Sequence, residues 1–127
     1  MKITEGNIPI YRQIIDYFEI EIASGLLQPG SKIDSIRALA MKFKVNPNTV
    51  QKALLELERD GYLYTDRTNG KFVTEDDELI KSLKYTLVKT LTLDFLEGVK
   101  KLGFTYEEIS EHLKEKWEVQ NGSNHSD

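Results

Sequence analysis

The chain has 127 residues, enough for one compact domain with an appendage. At 39% hydrophobic and 30% charged, without cysteine, it has a globular composition that excludes disulfides and thiolate metal sites. No apolar run approaches the roughly 20 residues that cross a bilayer, and the opening MKITEGNIPIYRQ lacks a signal-peptide core, so the cytoplasm is the expected location.

A net charge of −4 weighs at first against a nucleic-acid partner, but its distribution points the other way. Residues 32–52 carry Lys32, Arg37, Lys42, Lys44 and Lys52 against Asp34 alone, while acidic residues crowd the last third. Exposed charges are screened within about 10 Å, so a local basic stretch matters more for phosphate contact than the sum over the chain.

The first helical pattern starts near Pro9, with Asn7 as candidate cap and an apolar face of Ile10, Ile14, Tyr17, Phe18 and Ile22; Gly25 ends it. Leu27-Gln28-Pro29-Gly30 reads as a turn. A second, short helix begins at Ser35, whose hydroxyl suits an N-cap, and buries Ile36, Leu39, Ala40 and Phe43. Only Lys44-Val45-Asn46 separates it from a third, which Asn46 caps and Pro47 opens. That helix buries Val50, Ala53, Leu54 and Leu57, and its other side offers Asn48, Thr49, Gln51 and Lys52 near the N-terminus.

After Gly61 the period changes to two. Tyr62-Leu63-Tyr64-Thr65 and Lys71-Phe72-Val73-Thr74 flank a turn ending in Asn69-Gly70, which predicts a β-hairpin. From about Asp76 a long helix runs to Leu102, with Leu83, Leu87, Leu91, Phe95 and Val99 recurring every four residues. Gly103 closes it. Thr105 and Glu108 then form a capping box, with Phe104 and Ile109 as its staple. The last helix is expected to bury Ile109, Leu113 and Trp117, and the tail from Asn121 to be disordered.

Two amphipathic helices joined by three residues, with a hairpin directly after them, describe a winged helix-turn-helix. Short polar side chains near the N-terminus of the second helix can reach base edges in the major groove: Asn and Gln suit adenine, Lys suits guanine or phosphate. Arg67 and Lys71 bracket the hairpin tip, where they can reach a minor groove. Helix-turn-helix units also serve as protein-interaction modules, and periodicity alone does not separate the two uses.

Residues 29–73 add to this reading. PGSKIDSIRALA (29–40), VNPNTV (45–50), LERDGYLY (57–64) and GKFV (70–73) together resemble the GntR family of bacterial regulators in order and spacing. The short tail and the join at Leu102-Gly103-Phe104-Thr105 resemble its YtrA-like subfamily, in which a helix pair replaces a large effector domain. The resemblance implies that Ser35 caps the second helix and Arg37 contacts DNA. It also implies that Asn48, Thr49, Gln51 and Lys52 lie on the exposed start of the recognition helix, and that Gly70 approaches the minor groove from the wing tip. Departures from the family pattern are Asp34 in place of a usual proline, Pro47 and Gln51 where some relatives carry arginine, and Thr68 and Lys71 in the wing.

The expectation is an α+β chain. Residues 1–75 form a winged helix-turn-helix domain of three helices plus a β-hairpin wing, and 76–120 a two-helix, all-α dimerisation region; 121–127 are a disordered tail. DNA contact is assigned to Ser35, Arg37, Asn46, Asn48, Thr49, Gln51, Lys52, Arg67, Gly70 and Lys71. Dimerisation falls to Leu83, Leu87, Leu91, Phe95 and Val99, because a helix of about 25 residues extends nearly 40 Å, more than a small domain covers. Expected partners are double-stranded operator DNA, a second copy of the chain and a small-molecule effector at the dimer interface; no membrane is expected. The function so read is a dimeric repressor of a nearby operon, with a transporter operon suggested by the resemblance. No enzyme motif, cofactor or metal site is expected, and His112 and His125 are the only histidines.

Overall fold

A computed structural model describes residue 3 and residues 6–124. The elements follow as α1 (Ile10–Ser24), α2 (Ile36–Phe43), α3 (Pro47–Arg59), β1 (Leu63–Asp66), β2 (Gly70–Val73), α4 (Asp77–Lys101) and α5 (Tyr106–Asn124). Among the described residues no helix is long and apolar enough to cross a membrane. The chain divides into two units, one ending at Leu87 and one starting at Val88, so the division falls inside α4.

In the first unit α3 packs against both α1 and α2 and is followed by the wing. Its core joins Ile14, Phe18 and Ile22 of α1, Leu39 and Phe43 of α2, Val50, Leu54 and Leu57 of α3, and Leu63 and Val73 of the wing. Tyr17 meets Phe18 and Phe43 edge-on, with ring centroids 5.4 and 5.1 Å apart. Asn7 does not cap α1: the Pro9 carbonyl accepts from Arg12 and Gln13, and no side chain caps the start. An N-cap must stand immediately before the first helical residue, and Asn7 lies too far upstream. Gly25 closes the helix at φ +84°, the left-handed conformation that glycine adopts without a Cβ penalty.

β1 and β2 pair antiparallel, with Leu63 opposite Val73 and Asp66 opposite Gly70. A third strip joins them. Gly30 N–H donates to the Val73 carbonyl, Val73 N–H to Ser31 and Ile33 N–H to Lys71, with Lys32 bridged to Phe72. The alternation of side chains turns Leu63, Val73 and Ile33 into the core, and puts Tyr64, Phe72 and Lys32 on the other face.

Leu83, expected at the dimer interface, is instead 3% exposed in the core of the first unit, and Ile80 and Leu87 pack partly against the same core. The first turns of α4 thus cover the winged fold, while Leu91 is 70% and Phe95 38% exposed and Val99 is half-buried. In the second unit the capping box closes as expected: Thr105 N–H donates to Glu108 Oε1 at 2.9 Å, and Glu108 N–H to Thr105 Oγ1 at 3.2 Å. The burial expected of α5 is absent within one chain. Leu113 is 47% and Trp117 69% exposed, and Ile109 is half-buried. α5 continues to Asn124, into the segment expected to be a disordered tail; residues 125–127, His125 among them, lie outside the described residues.

Candidate nucleic-acid interface

The sequence 35–59 builds the candidate surface by local rules. Ser35 Oγ accepts from Ala38 N–H at 3.1 Å and starts α2, leaving Arg37 exposed on its first turn. Lys44 takes the left-handed conformation (φ 58°), and Val45 N–H returns to the Ala40 carbonyl, which reverses the chain within three residues. That conformation costs a non-glycine residue about 1–2 kcal/mol, supported here by the helices packed on either side. Asn46 Oδ1 then accepts from Asn48 N–H at 2.8 Å, and Pro47 fills the first helical position. The Asn46 acceptor oxygen is therefore committed to the cap.

Burying Val50, Ala53, Leu54 and Leu57 turns the opposite side of α3 outward. Asn48, Gln51 and Lys52 are exposed and Thr49 is half-buried. The Lys52 Nζ stands 4.0 Å from the ring centroid of Tyr11 on α1, a cation–π contact that restricts where the ammonium points. Between them lies a groove of about 360 Å³ lined by Ile10, Tyr11, Asn48, Thr49 and Lys52. Sequence reasoning misses Tyr11 as a neighbour of this surface, because nothing local ties the start of α1 to the start of α3.

At the wing, Asp66 organises the turn: Oδ1 accepts from Thr68 N–H and Oδ2 from the Asn69 side chain. These bonds, the Thr68 amide foremost, hold its carboxyl below the usual carboxylate range. Arg67 is exposed at the tip, with no polar partner among the described residues. Gly70 follows at φ +109°, and a Cβ there would stand 3.1 Å from Lys32 Cε.

Lys71 does not project from the tip with Arg67. Its Nζ lies 3.0 Å from Glu58 Oε2 on α3 and 2.8 Å from Thr65 Oγ1, and Thr65 donates to Glu58 Oε1 at 2.5 Å. The reason is register: Lys71 pairs with Thr65 on the sheet face turned towards α3. Lys71 is thus a strut between wing and α3, a role that two-residue alternation does not reveal without knowing what lies opposite. The Thr65 hydroxyl first, and Lys71 second, hold the Glu58 carboxyl below its ordinary value.

A group so shifted adds stability above its unfolded pKa and loses it as pH falls through the lower, folded value. Glu58→Gln is accordingly expected to lower the thermal midpoint at neutral pH by a few degrees, for a pair worth about 1 kcal/mol or less. The gap to the unsubstituted protein should close in acid. Thermal melts followed by circular dichroism at several pH values check this, and an unchanged gap at low pH would assign the loss to something other than charge.

Residues 10–73 match the family described as bacterial regulatory proteins, gntR family. The HTH-type transcriptional repressor YtrA of Bacillus subtilis is 36% identical over 112 residues, covering 87% of this chain and 85% of that protein. A GntR family transcriptional regulator from Listeria monocytogenes superposes with a TM-score of 0.81 at 40% identity, over 88% of this chain and 98% of the other. The AraR DNA-binding domain, solved in complex with operator ORR3, superposes with a TM-score of 0.52 at 31% identity, over 56% of this chain and 86% of that one.

Proposed function

This chain belongs to the GntR family of DNA-binding transcription regulators, and from that premise we propose that it is a homodimeric repressor reading a two-fold symmetric operator. The observation that carries the reading is the polar start of α3, with Asn48, Gln51 and Lys52 exposed beside the exposed Arg37. A helix fits the major groove, and these side-chain types match base edges and phosphates there. Asn48 and Gln51 read bases, Thr49 supports them from the helix edge, Arg37 and Lys52 contact phosphate, and Ser35 and Asn46 fix the two helix starts. Arg67 and Gly70 bring the wing tip to the neighbouring minor groove.

Dimerisation falls to the exposed stripe of Leu91 and Phe95 with the half-buried Val99, and adds the exposed Leu113 and Trp117 of α5. Apolar side chains this exposed and this numerous mark an interaction surface. Two protomers related by a two-fold axis present two recognition helices to half-sites about one helical turn, or a multiple of it, apart. Repression is favoured by the likeness to the YtrA repressor, and a neighbouring transporter operon is the target the family resemblance suggests. An effector bound at the dimer interface would act only by binding the two spacings of the reading heads unequally.

Selecting DNA from a genomic or random pool with the purified protein tests the function. The expected result is an enriched motif with two inverted half-sites; failure to retain any duplex at low salt refutes it. On the selected operator, Arg37→Ala is expected to weaken binding and to reduce the slope of log K against log salt by about 0.9 for each phosphate left without its cation. Fluorescence anisotropy across a salt series reads both values. An unaltered slope means that Arg37 does not touch the DNA backbone.

A further inference from the structure

With Lys71 held by Glu58, Arg67 is the hairpin's own free cation among the described residues, and the strip paired to the hairpin carries a second. We propose that Lys32, in the strip before α2, is the wing's phosphate-contacting cation, seated across Gly70 and delivered to the DNA backbone beside the tip. The proposal rests on the DNA-binding reading and adds a residue to it.

Four observations converge on Lys32. Its backbone is registered on the wing, bridged antiparallel to Phe72 and flanked by the bonds from Val73 N–H to Ser31 and from Ile33 N–H to Lys71. That pairing puts its side chain on the sheet face opposite Lys71, beside Phe72 and one diagonal step from Gly70. The aliphatic end then runs across Gly70, where an added Cβ would come within 3.1 Å of Cε and 3.8 Å of Nζ. Finally, Lys32 is exposed and has no hydrogen-bond or ion-pair partner among the described residues.

Lys32 also lines a groove of about 290 Å³ together with Asp34, Ser35, Asn69, Gly70 and Lys71. The start of α2 and the wing tip, both already assigned to the DNA side, border that groove. A cation whose backbone is already paired to the wing has only its side chain to order on meeting a phosphate. Glycine at position 70 serves two ends in this arrangement: it accepts the positive φ, and it leaves room for the lysine stem.

The test uses the full chain and the operator that the unsubstituted protein selects. Lys32→Ala is expected to weaken binding several-fold and to lower the salt slope by about 0.9 for each subunit. Lys32→Arg should keep the slope, and Lys81→Ala on α4 should leave affinity and slope unchanged. A thermal midpoint equal to that of the unsubstituted protein accompanies the expected result. Unchanged affinity and slope for Lys32→Ala overturn the proposal, as does weaker binding with the slope intact or with a lowered midpoint. If the unsubstituted protein binds no duplex, the DNA-binding reading falls, and that outcome is plainly distinct from a silent Lys32.

Discussion

Leu91→Asp is expected to give monomers that bind the operator weakly. Leu91 is 70% exposed on the part of α4 that belongs to the second unit, and Phe95, one turn on, is 38% exposed. Burying a leucine side chain contributes about 1.5–3 kcal/mol, and a two-fold interface uses each one twice. Aspartate removes that gain and adds an unpaired charge to an apolar surface, which costs more than the missing area alone. Without the dimer the linked second half-site is forfeited too, a factor of about 10²–10⁴ in operator affinity. Sedimentation reads the mass and anisotropy the affinity. A dimer that survives the substitution places the interface elsewhere, for instance on α5 alone.

Phe18→Ala is expected to cost about 3–5 kcal/mol, among the largest effects of any single truncation in the first unit. Phe18 is 2% exposed, its ring meets Tyr17 edge-on, and it belongs to the cluster that holds α1 against the reading helices. Small domains are stable by about 5–15 kcal/mol in total, so this loss is a large share of the reserve. Urea unfolding should show a clearly lower midpoint, and DNA binding at ambient temperature should weaken. A loss below about 1 kcal/mol would mean that the helices close over the gap, which a core packed from three helices, a hairpin and the first turns of α4 resists.

Local rules and distant ones part company between this sequence and its fold. The Ser35 and Asn46 caps, Pro47 at the start of α3, the hairpin and the Thr105–Glu108 box are legible because each is settled by residues within a few positions of one another. The apolar faces of α1 to α3 are legible because burial repeats with the helical period. Position 83 shows where that reasoning stops: a stripe of leucines tells that something covers it, not what does. Leu83 meets the winged core, whereas Leu91 and Phe95 remain exposed. Lys71 and Lys32 are illegible for a related reason. Their roles depend on which sheet face points at α3 and on a short strip that carries no alternation of its own.

That strip has a mechanical consequence. Because residues 30–33 are stitched to β2 and lead straight into α2, hairpin and reading helices cannot swing past one another without breaking backbone bonds. Under the proposed function, adjustment to a poorly matching operator falls to exposed side chains and to the few residues of the loop 67–69. A head built this way tolerates little bending by its own hinge, so under the proposed function sequence-dependent flexure of the duplex is expected to help tell targets apart.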